Sequence, residues 1–531
     1  MSKLKIILAI ALTSTLIVFL NLYPHWHAYL QTPDGFVFSK QATWFDPWDI
    51  NVYVAAIRWG QYQGFLMENM YDSQSNQAIV YYPLYTATGL LLPKIEPFLL
   101  FYFLSIVSTI LLVSVITIGA NKFIKEEKAI ILAPLITALA GGWGFLTYPY
   151  IFSLDSSMTS FTFHSAFQRP HEGLALAAYL ASFICFYKYL KNKQLRCLVG
   201  SFFSLTLTLI FYPYYLVSFF AIFFFYLLFS KKKINYTQIT AFIGLNILGT
   251  TVALLMQNNL SRNESFSGVV SQQLENPTVL SLFSGFGLFL IPIFYYLLSF
   301  NKLKEKELFL IIWIGVDMAL AFSPVGYARF FLRGAFFPAS VLMILIIKKV
   351  SLKVFPDQFS TGFLVLLIST LTITSMTNLS IFAQRLLEAE TTNSWYYLPN
   401  NEYQALEFIQ EEIPHSSVIL ASYHFGNLLP AHSNQKVFFG HLIQTPNAEE
   451  KQQQLINYYS QTLLPEESYQ FLLNNKINYI YYGEQENEIF EQLNLEDEEA
   501  TLLIDNQPFV KKIFENQTSK IFQFLPDIKP L

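Results

Sequence analysis

Long apolar runs without charged residues recur along most of this chain, and they restrict its fold more than any other feature. The segment from Ser201 to Ser230, for example, contains no charged side chain. About 20 consecutive, predominantly apolar residues are enough for a helix to cross a bilayer. Charged residues make up only 13% of the chain, whereas average soluble domains contain about 25%. The sequence therefore predicts an α-helical polytopic membrane protein.

Hydropathy predicts about eleven transmembrane helices. The stretch from Ser201 to Ser230 is either one helix of about 45 Å or two shorter helices that break at Phe211–Tyr215. The loops on both sides of it, 191–196 and 231–233, are rich in lysine, and lysine-rich loops face the cytoplasm. Two helices return the chain to the same side, so we favour the break. The predicted spans are residues 4–22, 97–119, 128–147, 171–190, 197–212, 214–230, 236–256, 279–299, 307–322, 335–348 and 357–380.

The basic residues also predict how the chain is inserted in the membrane. Lys3 and Lys5 precede the first span, which lacks a convincing cleavage site, so we interpret it as an uncleaved anchor. Lysine asymmetry places the N-terminus in the cytoplasm and the C-terminal segment outside the inner (plasma) membrane. Because a guanidinium binds phosphate or carboxylate bidentately, the arginines of the opposite side predict anion binding there. These arginines are Arg58, Arg169, Arg262, Arg329, Arg333 and Arg385.

The composition changes near residue 395. Residues 1–394 contain the predicted spans and a long first outer loop, residues 24–96. From residue 395 to residue 531, polar helical segments alternate with short runs rich in β-branched and aromatic residues, such as INYIYYG. This alternation predicts a small α/β domain, which would follow the last span on the extracytoplasmic side.

Two aspartates, three residues apart, begin a helical segment in the first outer loop. Asp46 precedes Pro47, which suits a helix N-cap followed by proline, so capping is one role for Asp46. Asp49 lies one turn before Tyr53 on the same helical face. Trp48 favours the headgroup level of a membrane, where an unused carboxylate is unfavourable to desolvate. We therefore expect Asp49 to be functional.

A second group of polar residues lies at the outer end of the fourth span. Arg169, His171 and Glu172 cluster around Pro170. Proline favours the first position of a helix, so these residues either form an interfacial collar at a helix start or belong to a polar site. The sequence alone leaves both interpretations open.

A third group contains two arginines. Arg329 and Arg333 are four residues apart, and an α-helix would place both on one face. Arginines at membrane depth either face a cavity or partner, or extend to the interface. We expect these two to bind an anion, with Asp317 in the preceding apolar run as their buried counter-ion.

The other motifs are less informative. His424, His432 and His441 do not have the spacing of metal ligands, and we interpret them as structural. The sequence lacks a phosphate-binding glycine loop and the HExxH and GxSxG motifs. No basic patch predicts a nucleic-acid partner.

In layout and in two segments, the chain resembles the C superfamily of membrane glycosyltransferases, in particular uncharacterised bacterial members. The layout combines a first-loop acid, many spans and a C-terminal α/β domain. The segments are DINVYVAAIRWGQYQG, from Asp49, and YYPLYTATGLLL, from Tyr81. The resemblance covers nearly the whole chain. It implies an enzyme that moves a sugar from a polyprenyl-phosphate donor to a lipid, glycan or protein acceptor on the extracytoplasmic side.

The resemblance also implies roles for the candidate residues. A first-loop acid of this superfamily acts as the catalytic base or helps to hold a metal, which maps onto Asp49 first and Asp46 second. Because these acids are three apart rather than adjacent or separated by one residue, a divalent metal such as Mg²⁺ or Mn²⁺ stays an open question. The implied reaction is the inverting transfer of a hexose. Substrate and phosphate binding map onto Tyr53, Arg169, His171, Glu172, Arg329 and Arg333.

Two functions of other classes use similar residues. One is a transporter or flippase for a lipid-linked glycan, and the other is a non-catalytic membrane scaffold. Transporters usually place charges near the bilayer midplane and are often built from repeats. Most of the candidate charges here lie at the ends of predicted spans, and the sequence contains no repeat that we detect. We therefore favour the glycosyltransferase.

Overall fold

The computed structural model describes residues 3–74, 77–158, 161–231, 235–415, 417–460, 463–491, 504 and 506–530. Lys232 and Lys233, part of one predicted cytoplasmic loop, lie outside the described residues. The first helices are α1 (Lys3–Leu30), α2 (Pro47–Tyr62), α3 (Pro83–Leu91), α4 (Pro97–Phe123), α5 (Glu127–Ala138), α6 (Gly144–Thr147), α7 (Leu154–Ser157), α8 (Phe163–Phe167), α9 (Pro170–Asn192), α10 (Leu195–Phe211), α11 (Tyr215–Phe229) and α12 (Tyr236–Ser261).

The remaining elements complete the chain. The helices are α13 (Ser267–Val270), α14 (Val279–Phe286), α15 (Leu290–Leu298), α16 (Glu305–Leu320), α17 (Phe336–Val354), α18 (Phe359–Thr374), α19 (Met376–Glu388), α20 (Asn400–Glu412), α21 (Tyr423–Ser433), α22 (Ala448–Tyr459), α23 (Pro465–Asn474) and α24 (Glu484–Glu491). Short 3-10 helices lie at Glu264–Phe266, Gly287–Phe289, Phe300–Lys302 and Ala328–Leu332. The strands are β1 (Phe36–Phe38), β2 (Tyr397–Pro399), β3 (Val418–Leu420), β4 (Lys436–Val437), β5 (Tyr479–Tyr482), β6 (Val510–Glu515) and β7 (Lys520–Phe524).

Within the described residues, six helical segments are long and apolar enough to cross a membrane, and the bent pair α18 and α19 would add a seventh. The chain is therefore a multi-pass membrane protein. The other four predicted spans fall on the shorter helices α5, α10, α11 and α16. At 1.5 Å per residue, helices of 12 to 17 residues reach only about 18–26 Å, less than the ~30 Å of a bilayer core. Every predicted span thus contains a helix, whereas eleven crossings are not confirmed.

The long uncharged stretch is broken as predicted. Helix α10 ends at Phe211 and α11 begins at Tyr215. Pro213 lies between them, and proline can neither donate a helical hydrogen bond nor fit inside a continuous helix. The interpretation as two helices is confirmed.

The chain divides into two compact units. The helical unit comprises Met1–Trp26, Tyr102–Gln257 and Gln273–Leu387, and the mixed unit comprises His27–Phe101, Asn258–Gln272 and Glu388–Leu531. The predicted boundary at 394/395 is close to the start of the last segment, but the structure groups the first loop with the C-terminal segment. Strand β1 pairs with β2 in antiparallel register, so Phe36 lies opposite Pro399. Hydrogen bonds between residues distant in sequence therefore decide the grouping, and composition does not reveal them.

Aromatic side chains fill the core of the helical unit. Phe183 stacks on Trp313 with ring centroids 4.5 Å apart, and Tyr187 stacks on Phe309 at the same distance. All four rings are buried. Such rings contribute large apolar areas to packing, so this part of the aromatic content serves the core.

The mixed unit is built around a five-stranded sheet in the order β4-β3-β5-β7-β6. Strand β3 runs parallel to β4 and β5, while β7 runs antiparallel to β5 and β6. The α/β character predicted after residue 395 is confirmed. Because ligands of α/β sheets bind beyond the carboxyl ends of parallel strands, the residues that follow β3 and β4 are candidates for a binding site. Tyr423 and His441 lie there.

Two glycines bring α2 and α3 into backbone contact. A Cβ atom at Gly60 would lie 2.2 Å from the carbonyl oxygen of Thr86, and one at Gly89 would lie 1.9 Å from that of Ile57. Only glycine fits such distances. Trp59 is buried and donates its Nε1 hydrogen to the Leu66 carbonyl at 2.7 Å. Helix α2 is therefore a core helix of the mixed unit, with most of its residues buried.

Candidate active site

The start of α2 sets the position of both first-loop aspartates. Asp46 is at the N-cap and Pro47 occupies the first turn, as predicted. The Asp46 side chain makes no capping hydrogen bond, because the residue adopts a left-handed conformation with φ 44° and ψ 66°, whereas capping residues are usually extended. The expected capping role of the Asp46 side chain is therefore wrong. A left-handed residue before proline is strained, and such strain is often retained at functional sites.

Asp49 is the third residue of α2 and is partly exposed. Its side chain is 21% exposed, and its Oδ1 atom lies 2.9 Å from Nε2 of His441. The Tyr53 hydroxyl donates to Oδ2 at 3.4 Å, which is long for a bond between two oxygens and therefore weak. The predicted juxtaposition of Asp49 and Tyr53 on one helical face is confirmed.

Tyrosines surround this carboxylate. Burial, with a smaller contribution from the charge of Asp49, raises the pKa of Tyr71 and Tyr82 well above the ordinary value. Burial, with a smaller contribution from the charge of Asp49, also raises the pKa of Tyr81 to about 12, although its side-chain hydrogen bonds with Tyr82 and Gln444 act in the opposite direction. These phenols therefore stay protonated at neutral pH. They can donate hydrogen bonds, but they do not compete with Asp49 as bases.

The contact of His441 with Asp49 was not predicted from the sequence. The spacing of His441 from the other histidines argued only against a metal site, and the residue was interpreted as structural. It is 1% exposed and follows Gly440, in the turn after the end of β4. The available signal was its place after the carboxyl end of a parallel strand. That signal depends on knowing the strand order, which a single sequence does not reveal.

The second cluster lies in the helical unit, at the start of α9. Arg169 is the N-cap residue, Pro170 follows it and Glu172 lies in the first turn. Glu172 Oε1 is 3.3 Å from Nη2 of Arg333 and 3.5 Å from Nη1 of Arg169. All three side chains are buried. An interfacial collar would be exposed, so this part of the chain forms a buried polar cluster instead.

Aromatic rings hold Arg333 in place. Its Nη1 atom donates to the Tyr214 hydroxyl at 3.1 Å. The guanidinium lies 3.8 Å from the centroid of Phe330 and 5.0 Å from that of Tyr212. His171, on the same helix start as Glu172, is also near Tyr212, with centroids 6.2 Å apart. The geometry orients a planar cation by stacking and by hydrogen bonds.

The prediction that one α-helical face carries both Arg329 and Arg333 is wrong. Residues Ala328–Leu332 form a 3-10 helix, which ends before Arg333. With three residues per turn, side chains four apart point in different directions. Arg329 is half-buried and lies 5.6 Å from the Phe330 ring, whereas Arg333 is buried against Glu172.

Asp317 is not the counter-ion of Arg333. It is fully buried in α16, against Tyr179, Ser218 and Trp313. Glu172 is the carboxylate beside Arg333. A carboxylate on a neighbouring helix was not predicted, because the two residues are 161 positions apart.

The candidate residues thus form two groups, each described within its own unit. Asp46, Asp49 and Tyr53 belong to the mixed unit, together with His441. The other group belongs to the helical unit and consists of Arg169, His171, Glu172, Arg329 and Arg333.

No group of three or more His, Cys, Asp or Glu side chains close enough to hold a metal ion occurs among the described residues. Mg²⁺ and Mn²⁺ prefer several oxygen ligands.

Comparison with solved structures identifies the fold. The structure of the Archaeoglobus fulgidus oligosaccharyltransferase tethered to an acceptor peptide with the NVT sequon aligns with a TM-score of 0.54 and 11% identity, over 91% of this chain and 69% of that chain. The same enzyme, AglB, in complex with an inhibitory peptide and a dolichol-phosphate aligns with a TM-score of 0.52 and 12% identity, over 90% and 69% of the two chains. The apo form of that enzyme aligns with a TM-score of 0.54 and 11% identity, over 91% of this chain and 70% of that chain.

The fold is similar to that of an archaeal oligosaccharyltransferase. Oligosaccharyltransferases belong to the C superfamily of membrane glycosyltransferases, so the predicted resemblance is confirmed at the level of the fold. No protein-family model and no curated protein sequence matches the chain. The oligosaccharyltransferase fold nevertheless spans both units, since the alignment covers about nine-tenths of the chain.

Proposed function

We propose that this protein is a membrane glycosyltransferase that takes its sugar from a polyprenyl-phosphate-linked donor. The observation that carries the proposal is the Asp49 carboxylate, 21% exposed and hydrogen-bonded to His441 at 2.9 Å, in a chain with an oligosaccharyltransferase fold. Such a carboxylate suits a general base, because it is accessible and its orientation is fixed.

The related structures support the classes of donor and acceptor. One contains a dolichol-phosphate, and another contains an acceptor peptide. By analogy, the donor of this protein is a sugar on a polyprenyl phosphate, and the acceptor is a protein, a glycan or a lipid that offers a nucleophilic hydroxyl or amide.

The chemistry follows from a single displacement. With a hydroxyl acceptor, Asp49 removes the O–H proton while the acceptor oxygen forms a bond to the anomeric carbon. The bond from that carbon to the phosphate oxygen breaks, and its electron pair stays on the leaving phosphate. Attack opposite the leaving group inverts the anomeric configuration. For a hexose donor, the products are the hexosylated acceptor and the polyprenyl phosphate, with the proton held by Asp49.

Arg333 is the preferred ligand for the donor phosphate in this scheme. Arg333, Arg169 and Glu172 together carry one net positive charge, which suits an anion. The buried Nε atom of Arg333 has no hydrogen-bond partner among the described residues, so one donor of this guanidinium is not used by them. Preorganised cations of this kind stabilise charge that develops on a leaving phosphate. His171 and Arg329 in the helical unit, and Tyr53 in the mixed unit, are also proposed to contact the substrates.

The proposal also includes a topology. We propose that the four shorter apolar helices cross the membrane with the longer ones, giving about eleven spans. Lysine asymmetry then puts the N-terminus in the cytoplasm and residues 395–531 outside the inner membrane. A cysteine at Glu484, introduced after Cys185 and Cys197 are replaced by alanine, should react with an impermeant maleimide added to intact cells. A cysteine at Lys193 should react only after permeabilisation, and the opposite pattern would contradict the topology.

The direct test is turnover by the purified protein in lipid nanodiscs. A panel of polyprenyl-phosphate hexoses and lipid-linked oligosaccharides should include one donor that releases its lipid phosphate only when an acceptor is present. Mass spectrometry should find the sugar on the acceptor. If vesicle-reconstituted protein translocates a lipid-linked glycan and transfers no sugar, the protein is a flippase instead.

A further inference from the structure

His441 is held in place by the turn that follows β4. Its backbone N–H donates to the Thr445 hydroxyl at 3.2 Å, and the Thr445 N–H donates to the His441 carbonyl at 2.9 Å. The His441 ring also meets the Tyr71 ring edge-on, with centroids 5.8 Å apart. These contacts fix the imidazole before any substrate binds.

The same turn decides which ring nitrogen carries the proton. The backbone N–H groups of Ile443 and Gln444 both point at Nδ1 of His441, at 3.0 and 3.2 Å. A backbone N–H only donates, so Nδ1 must accept and carries no hydrogen. The proton of the neutral imidazole is therefore on Nε2, which donates to Oδ1 of Asp49 at 2.9 Å. His441 is a neutral donor to the carboxylate.

A second tether fixes the backbones that carry this pair. Asn427 donates from Nδ2 to the Gly440 carbonyl at 3.0 Å, and its Oδ1 accepts a hydrogen bond from Asn51 at 2.8 Å. Gly440 precedes His441, and Asn51 is two residues after Asp49. The approach is close, because a Cβ atom at Gly440 would lie 2.5 Å from the backbone of Gly426. Asn427 and the glycines therefore set the distance from His441 to Asp49.

We propose that His441 is a positioning residue that fixes the rotation of the Asp49 carboxylate by occupying Oδ1. Nδ1 is already engaged and Nε2 already carries a hydrogen, so His441 does not receive the acceptor proton. A protonated imidazole would neutralise the charge of Asp49. The neutral His441 orients the carboxylate and leaves its negative charge in place. This inference rests on the proposed role of Asp49 as the general base.

The two amide variants of His441 separate orientation from packing. In His441→Gln, the amide nitrogen reaches about as far as Nε2 and can still donate to Asp49. In His441→Asn, the shorter amide reaches only the level of Nδ1, so the hydrogen bond to Asp49 is lost. Loss of one hydrogen bond to a charged group corresponds to a change of about 10–100-fold in a rate or equilibrium constant. His441→Asn should therefore lower kcat by that factor with KM for the lipid donor unchanged, and His441→Gln should restore most of it.

His424 provides the matched control. It is another buried histidine of the same unit, with Nε2 2.8 Å from the Ser394 carbonyl. His424→Asn and His424→Gln should differ little from each other in kcat. Apparent melting temperatures and elution volumes of all four variants report on folding.

The outcomes distinguish the two proposals. If Asp49→Asn is inactive while His441→Asn keeps the wild-type kcat, the positioning role is wrong and the proposed function stands. If Asp49→Asn is fully active, the base assignment itself fails. If His441→Gln is as impaired as His441→Asn, with melting temperatures equally lowered, His441 only supports the fold.

Discussion

Asp49 in the mixed unit and Glu172 in the helical unit are both first-turn carboxylates of helices that begin with proline, yet their surroundings differ. The Asp49 side chain is 21% exposed and accepts a hydrogen bond from the neutral His441. The Glu172 side chain is 3% exposed and lies between the guanidinium groups of Arg169 and Arg333. The first environment leaves the Asp49 carboxylate charged and partly exposed, so that it can accept a proton from a substrate. The second uses the negative charge to hold two cations together.

The comparison indicates that sequence position does not decide the role of a carboxylate. Both acids follow an N-terminal proline by two residues and both lie near the positive end of a helix. What differs is the neighbour supplied by a distant segment.

The largest effect is expected for Asp49→Asn. Asparagine keeps the shape and polarity of the side chain but cannot take a proton, so transfer should fall by about 10²–10⁴-fold, the usual contribution of a general base. Transfer is measured in nanodiscs and normalised to protein amount. Asp34→Asn, at an exposed aspartate of the same loop, is the matched control. Near-normal transfer by Asp49→Asn would contradict the role of Asp49 as the general base.

Substitution of Arg333 should have the next largest effect. Arg333→Ala removes the buried donor and should lower transfer by about 10²–10³-fold, by analogy with other groups that stabilise developing negative charge. Arg333→Lys should already impair transfer, because lysine lacks the planar fork that meets Glu172 and the aromatic rings. Arg262→Lys, at an exposed arginine, serves as the control. A lysine variant with wild-type turnover would contradict the phosphate-binding role.

Asp46→Asn should have a small effect, about threefold or less. The Asp46 backbone is left-handed, with φ 44°, and asparagine adopts this conformation more readily than most residues. Its side chain also makes no capping hydrogen bond that the substitution would remove. The measurement is transfer beside Asp49→Asn at equal expression. A loss equal to that of Asp49→Asn would mean that both acids act on the substrate together.

The smallest effect on transfer is expected for Glu402→Gln, which extends the comparison to a buried carboxylate without arginine neighbours. Burial first, and then the charges of Glu486 and Glu484, raise the pKa of Glu402 from 4.5 to about 8. The pKa of Glu402 is higher in the folded protein than in the unfolded chain. Its contribution to the free energy of unfolding is therefore fully present below about pH 4.5 and is lost as pH rises towards 8.

The Glu402→Gln variant keeps a neutral side chain at every pH. Its apparent melting temperature should exceed that of the wild type by an amount that grows between pH 4.5 and 8 and then stays constant, with transfer unchanged. Glu411→Gln, at an exposed position of the same helix, should show no such trend. A difference independent of pH would contradict the shift in the pKa of Glu402.

Much of the fold could be predicted, because it depends on local patterns. Apolar runs placed a helix at every predicted span, and Pro47, Pro170 and Pro213 marked helix starts and the break between α10 and α11. The number of crossings could not be predicted as firmly, since helices such as α5 are shorter than a bilayer core. The grouping of the first loop with the C-terminal segment also escaped prediction, because pairing of β1 with β2 is a long-range event.

For the candidate site, the sequence by itself determined which residues carry charge and where helices begin, since capping and hydrophobic periodicity act over a few residues. Only the tertiary structure decided which groups meet. His441 is 392 residues from Asp49, and Arg333 is 161 residues from Glu172. Hydrogen bonds over such separations form only when the packing of distant helices and strands brings the atoms together. The same packing turned Arg329 and Arg333 apart, because a 3-10 turn replaced the α-helix that their spacing suggested.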